Sequence, residues 1–537
     1  MRTEAVNRWR CVSRWAVKGA YGAVLVVFGL VIARFYEPAT GFSHLIAFGA
    51  ATGREPVSEL RNLDDFRQTA GYGYDGQYYV QIAMHPTLRS EELPGAIDNL
   101  PYRARRILTG WTAYALGLGR PEWILQAFAI QNVLAWLALA VVMLRWFPPV
   151  DGNNFLRWGS VLFGVGMCDS LRLALVDGPS LWLIAIGVWL VETNRRGLAT
   201  AVLALSGLAR ETNLLAGVAL IKPEERTWRH FGELCVRAMV VALPLAAWLV
   251  YIHLTVGPSL DAGARNFSLP GAAFVEHFGR TAGRWIESGG KDDLAQGGLL
   301  MMVALATQFC FLALRPRWRE AWWRVGASFG VLMAVLGPAV WEGYPGAAAR
   351  VLLPMHLAFN VLVPRGRRWL AVLVLGNLSL ILAPDLLQAI PRPGYRLEAE
   401  SGLQTVVGGK NAKVVFDGKW YDVEHRGDRF WRWAEGDATF AVINPHERSV
   451  IATVDFYLDA IDERRATVKS GSREVWTGLI GPKEDARIVL GEIELQPGRN
   501  EIRITSDRPP ANVGVGTQRP IAFSLRTLRV KLLRLAP

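Results

Sequence analysis

Residues 383–395 read APDLLQAIPRPGY, and the texture of the chain changes across them. Upstream, apolar stretches recur at 19–33, 107–119, 123–144, 158–168, 180–192, 198–208, 213–221, 236–256, 298–314, 325–341, 348–364 and 369–384. Downstream, the runs are short and alternate apolar with polar residues, as in AKVVFD, ATFAVIN, SVIATVDFYL, RIVLGEIEL and TLRVKLL, with turn signals such as QPGRN and SDRPP between them. Alternation of period two implies half-buried strands, and many short strands with turns imply a sandwich. The expected fold is therefore a polytopic α-helical membrane protein, residues 1–390, followed by an all-β sandwich, residues 391–537. Composition agrees with that division: 537 residues, 51% hydrophobic, yet still 20% charged.

The net charge of +12 does not point to nucleic acid, because its basic residues sit beside apolar stretches (RWRCVSRWAVK, NRR, KPEERTWR, RPRWREAWWR, PRGRRW). Four cysteines, Cys11, Cys168, Cys235 and Cys310, are scattered without metal-ligand spacing and imply no disulfide framework. The basic N-terminus and the run 19–33 read as a retained anchor, with a cleavage signal as the alternative. Suppose 107–119 is re-entrant and every other stretch crosses. The basic clusters Arg145–Arg157, Arg195–Arg196, Lys222–Arg237, Arg315–Arg324 and Arg365–Arg368 then share the side of the N-terminus, as cytoplasmic loops do. That arrangement has about eleven transmembrane helices. It puts outside the cytoplasm the first loop 34–122, the turn 169–179, the break at Arg210–Glu211, the loop 257–297, the segment 342–350 ending in Arg350, and the C-terminal domain. In a bacterium, that means an inner-membrane, multi-pass protein with a periplasmic sandwich.

Ionisable groups beside apolar segments gather on that outer side. Asp75, in GYGYDGQYYV (71–80), reads either as a general base or as a turn aspartate before Gly76. Its neighbours Tyr72, Tyr74, Gln77, Tyr78 and Tyr79 suit hydrogen bonding to, or stacking on, sugar rings. The stretch LALSGLARETNLLAGVAL (203–220) buries Arg210 and Glu211 between two apolar halves. Such charges are expensive in a bilayer and read either as a phosphate-binding arginine with support or as an ion pair closing a hairpin. Arg103, Arg105 and Arg106 in DNLPYRARRIL, and Arg350, are candidate phosphate ligands or interfacial anchors. Asp169 and Asp177 read as helix caps or as a pair for a divalent cation, which nothing else indicates. Asp64–Asp65 and Asp292–Asp293 read as solvated loop charges. Trp420, Tyr421, Trp431 and Trp433 form either a carbohydrate platform or sandwich core. VVGGKNAK lacks P-loop spacing, and no HExxH, CxxC or GxSxG motif occurs.

GYGYDGQYYVQIAMHP, then DNLPYRARRILTGWTAYALGLG, then LARETNLL together resemble bacterial GT-C superfamily glycosyltransferases, in particular the multi-span proteins of cell-surface glycopolymer formation. Those carry a YDGQFYY run, a YRYQRIL segment and an RET hairpin, and the resemblance covers roughly residues 15–384. It implies a many-helix fold with an active site opening to the outer side, a polyprenyl-phosphate-linked sugar as donor, and inversion at the anomeric carbon. On the matching positions it implies Asp75 as the catalytic acidic residue and Arg210 and Glu211 as the hairpin motif. Ala104 and Arg105 depart from the family's Tyr and Gln, and Tyr78–Tyr79–Val80 depart from its aromatic run starting with Phe, which leaves the acceptor contacts open. The tail is similar to sandwich modules attached to such enzymes.

The expected function is thus an inverting glycosyltransferase, with Asp75 as base and Arg103, Arg106, Arg210 and Arg350 on the donor phosphate. Glu211, Tyr74, Gln77, Tyr78 and Asp177 would support them, and the acceptor would be a glycan or glycolipid of the cell envelope. The expected partners are the bilayer, the lipid-linked sugar and the glycan acceptor; no protein partner is implied. The alternatives are a lipid-linked saccharide transporter, which would spread charges through the membrane depth, and a non-catalytic assembly protein.

Overall fold

The computed structural model describes residues 2–37, 40–49, 52–63, 72–224, 227–258, 264–342, 347–388, 394–407, 410–426, 429–482, 486–513 and 519–537. The solvated charges expected at Asp64–Asp65 lie outside them. The chain divides into two compact units. One comprises Met1–Arg34, Pro56–Leu63 and Tyr78–Gln388, the other Phe35–Glu55, Asp64–Gln77 and Ala389–Pro537.

The first unit is helical. Among the described residues, four helices are long and apolar enough to cross a bilayer: Trp15–Ala33, Pro121–Arg145, Trp228–Thr255 and Asp293–Leu314. The bent pair Arg367–Leu375 and Leu378–Leu386, at 53°, makes a fifth if it crosses as one. Other stretches expected to cross are shorter than the roughly 20 residues a full span needs. Asp177–Glu192 has 16 residues, Ala321–Val335 has 15, Arg196–Ala209 has 14 and Leu353–Leu362 has 10. By helix length, four or five of the expected eleven crossings are found among the described residues; the other stretches form shorter helical pieces. Within 107–119, Leu108–Leu116 is a helix of 9 residues. It rises roughly 14 Å, about half a hydrocarbon core. Leu118 and Gly119 then take positive φ, 51° and 73°, and turn the chain into the helix Pro121–Val142.

Broken helices leave carbonyls that lipid cannot satisfy, so side chains must do so. Arg157, 2% exposed, donates to the carbonyls of Asn360 at 2.6 Å and Val363 at 2.7 Å. Arg324 donates to those of Ala219 at 2.9 Å, Val218 at 3.1 Å and Trp318 at 2.7 Å. Both belong to clusters that read as membrane-face charges; these two are internal caps instead.

Among the described residues the second unit contains two small two-stranded sheets and two large ones. In one, the strands follow the order Ala486–Leu495, Val450–Asp459, Ser524–Leu535, Arg429–Trp433 and Glu424–Arg426, with Tyr395–Ala399 running parallel to Ser524–Leu535. The other runs Arg473–Ile480, Arg464–Ser470, Gly498–Ser506, Ala438–Asn444 and Lys413–Phe416. Val450–Asp459 shows why such sequences form strands. Val450, Ala452, Val454, Phe456 and Leu458 are all fully buried, while the residues between them are not. Each large one contributes about 1.5–3 kcal/mol by leaving water. On the strand's other face, Asp455 is bound by Arg487 of the neighbouring strand at 2.7 Å.

Candidate functional site

The hairpin at 203–220 breaks at Arg210, which leaves the helix Arg196–Ala209 in an extended conformation (φ −158°, ψ 129°). Glu211–Leu220 continues as a 3₁₀ helix of 10 residues, much longer than such helices usually run and often a mark of strain or function. Asn213 fixes the bend. Its backbone N–H donates to the Arg210 carbonyl at 3.0 Å, and its amide donates to the Ser180 hydroxyl at 2.6 Å and the Ser206 carbonyl at 2.9 Å. Arg210 thereby faces the start of the helix Asp177–Glu192 and pairs with Asp177. Arg350 reaches the same carboxylate at 3.5 Å. Asp177 is 3% exposed, and the helix start favours its negative charge. The Nε of Arg210 has no hydrogen-bond partner among the described residues.

Glu211 turns elsewhere. Arg106 grips it with two parallel bonds, Nε to Oε2 at 2.9 Å and Nη2 to Oε1 at 2.8 Å. The same guanidinium donates to the Tyr79 hydroxyl at 2.7 Å and the Tyr102 hydroxyl at 3.2 Å. Tyr79 is 2% exposed and Arg106 9%. Arg210 and Glu211, adjacent in sequence and expected to pair with each other if the role were structural, thus close two different ion pairs. The three stretches singled out in the sequence meet at one guanidinium: Tyr79 from the first, Tyr102 and Arg106 from the second, Glu211 from the third. A fork–fork pair of this kind fixes geometry as well as charge.

Asp75 belongs to the second unit, in a turn directly before the helix Gly76–Met84. That turn is pinned. The Tyr74 N–H donates to the Ala47 carbonyl at 2.9 Å, and the buried Gln77 amide accepts from the Gly49 N–H at 3.0 Å and donates to the Tyr72 carbonyl at 2.9 Å. Gly73 has φ +62°, and a Cβ there would lie 2.5 Å from the Gly49 nitrogen. Gly73→Ala is therefore expected to destabilise the turn beyond the about 1–3 kcal/mol of an unfavourable backbone region alone. A lowered thermal midpoint and faster proteolytic nicking would report it; an unchanged midpoint would mean the 47–49 segment moves freely aside.

Other candidates are placed differently from the sequence reading. Tyr78, 9% exposed, is packed under the Arg103 guanidinium at 5.2 Å, so neither it nor Tyr79 offers a free ring to a sugar; Tyr72, 77% exposed, does. Arg103 is engaged by Asp98 at 2.7 and 3.0 Å, and Arg105 lies over the Tyr102 ring at 5.4 Å. Asp169 caps nothing: it is inside the helix Val165–Arg172, 1% exposed, with Oδ2 lacking a hydrogen-bond partner among the described residues. No group of three or more metal-ligating side chains occurs among the described residues. Asp292, expected to be solvated, caps the helix Asp293–Leu314 by accepting from the Ala295 N–H at 2.9 Å. Trp420 belongs to the hydrophobic core of the strand-rich region, 1% exposed and packed against Phe416 and Phe523, so it cannot serve a carbohydrate platform. Trp431 and Trp433 are half-buried on the strand face opposite the buried Arg432, and Trp431 donates to Glu424 at 2.9 Å. Tyr102 and Asp98 were missed as members of the site. The available signal was the density of arginines around them, since a buried guanidinium requires partners.

No protein-family model matches the chain, and no curated protein matches it. Among solved structures, it is similar to the arabinosyltransferase EmbB from Mycobacterium smegmatis, determined by single-particle cryo-EM. The identity is 11%, the TM-score 0.26, and the match covers 94% of this chain. This chain spans 64% of that one. A superposition at this level carries no inference about fold or activity.

Proposed function

We propose that this protein is an inverting, GT-C-like membrane glycosyltransferase, transferring a sugar from a polyprenyl-phosphate donor to a cell-envelope glycan or glycolipid on the non-cytoplasmic face. The observation that carries the reading is the meeting of three sequence-distant motifs at Arg106, beside a second cluster in which Arg210 and Arg350 share Asp177. Buried charges in an apolar helical unit are costly and mark function by default. In the reaction, Asp75 takes the proton of the acceptor hydroxyl as its oxygen bonds to the anomeric carbon. The bond from that carbon to the phosphate oxygen breaks, and polyprenyl phosphate leaves. Arg210 and Arg350 stabilise that anion, prepositioned by Asp177, and the buried Nε–H of Arg210, without a hydrogen-bond partner among the described residues, is a donor left for a phosphate oxygen. Arg106 and Glu211 act as a strut that fixes the hairpin carrying Arg210.

The test is direct. Purified protein, given polyprenyl-phosphate sugars and acceptor glycans, should release polyprenyl phosphate in step with glycoside formation. Movement of intact lipid-linked saccharide across proteoliposomes, without release, would make the protein a transporter. Sidedness is tested separately, after replacing the exposed Cys235 and Cys310. Single cysteines at Ser288 and Ser472 should react with an impermeant thiol reagent in intact spheroplasts, and one at Thr227 should not. The inverse pattern would turn the proposed site to the cytoplasm.

A further inference from the structure

The helix Asp293–Leu314 presents Met302, Ala306, Cys310 and Leu314, spaced four apart and hence on one face, to an apolar groove of about 680 Å³. Phe278 of the helix Ala272–Glu287 and Trp369 line it as well. From Met302 to Leu314 it runs roughly 18 Å, a little more than one leaflet of a hydrocarbon core. Its polar side chain Thr307 is satisfied within its own helix, donating to the Val303 carbonyl at 2.8 Å, so the groove asks nothing polar of an occupant along its length. One end is different. Arg315 lines it there, its guanidinium 5.0 Å from the Trp369 ring; Arg317 follows two residues later, and Arg367 and Arg368 immediately precede Trp369 in the sequence. Arg317 also lines a smaller, separate cavity of about 390 Å³ with Arg145 and Arg365.

An apolar slot one leaflet long, ending in cations, is complementary to a lipid with an anionic head. We propose that this groove holds one acyl chain of an anionic glycerophospholipid, with the phosphate at Arg315. Basic pockets between membrane helices bind anionic head groups in this way. The site requires a bilayer around the helical unit and does not depend on the transfer reaction.

The full-length protein in detergent, offered phosphatidylglycerol and phosphatidylcholine with identical chains, should retain the former about fivefold better by native mass spectrometry. Arg315→Gln should abolish that preference. Ala306→Trp, which fills the groove, should lose both lipids while helix content is kept. A readout without substitution uses the native thiols. Phosphatidylglycerol should slow maleimide reaction at the exposed Cys310 and leave Cys235, outside the groove, unaffected. Equal retention of the two lipids, or an unprotected Cys310, would overturn the proposal. So would displacement of the phospholipid by equimolar polyprenyl phosphate, which would assign the groove to the donor.

Discussion

Alanine at Arg106 is expected to destabilise the helical unit by about 3 kcal/mol, the lower end of what breaking a buried ion pair costs. The low end applies because Glu211 keeps 27% of its side chain exposed, so water can partly replace the lost partner. Three losses combine: the two charge-assisted bonds to Glu211, the bond to the Tyr79 hydroxyl and the bond to the Tyr102 hydroxyl. Arg106→Lys should recover part of the stability, since the charge remains, but an ammonium cannot make the parallel fork. Glu211→Gln should cost less than Arg106→Ala, because the amide oxygen still accepts one bond and no lone carboxylate is left behind. The double variant Arg106→Ala, Glu211→Ala should be more stable than the sum of its singles, by about 0.5–3 kcal/mol of coupling. Thermal midpoints in detergent decide it. An Arg106→Ala protein as stable as the parent would mean that Arg106 is no strut.

Arg210→Lys separates the second cluster from the first. Its pairing with Asp177 can survive as a simple ion pair, so folding should be retained. The Nε–H donor disappears, so activity should fall. Undiminished turnover in a folded Arg210→Lys protein would remove Arg210 from the donor phosphate.

How much of this was legible beforehand differs by element. The change of texture at 383–395 was, because strands such as Val450–Asp459 bury alternate residues and the period appears directly in the letters. The number of crossings was not. An apolar run says that a segment is buried, whereas helix length also depends on where local bonds such as those of Asn213 interrupt it. The charge clusters were half legible. Arg210, Glu211, Arg106, Arg350 and Asp177 all stand out as polar residues in apolar surroundings, and all five lie in the two networks. Their partners did not stand out. Sequence adjacency suggested Arg210 with Glu211, yet the extended backbone at Arg210 turns its side chain away from the following residue, and long-range packing selects Asp177 and Arg106 instead. Arg157 and Arg324 were misread for a related reason: a basic residue beside an apolar run looks the same whether it meets water or caps a broken helix.

Asp75→Asn is expected to fold normally and to lose about 10²–10⁴-fold in transferase rate, the usual contribution of a general base. Folding should be retained because the turn is held by other groups, namely the Tyr74 N–H, the Gln77 amide and the close approach that Gly73 permits, and asparagine is itself a good turn residue. Donor binding should be retained as well, since the proposed phosphate ligands are arginines. What asparagine cannot do is accept the acceptor's proton, so the loss should fall on turnover and not on donor affinity. Asp75→Glu should keep a small activity. Its carboxylate is intact but one methylene longer, and the pinned turn cannot retreat to compensate for the added reach. A turn aspartate without chemistry predicts the opposite order, with asparagine nearly normal and the bulkier glutamate worse. Polyprenyl phosphate release by the two variants, measured beside donor binding, therefore distinguishes base from turn residue. Near-parent turnover in Asp75→Asn would reject the catalytic assignment.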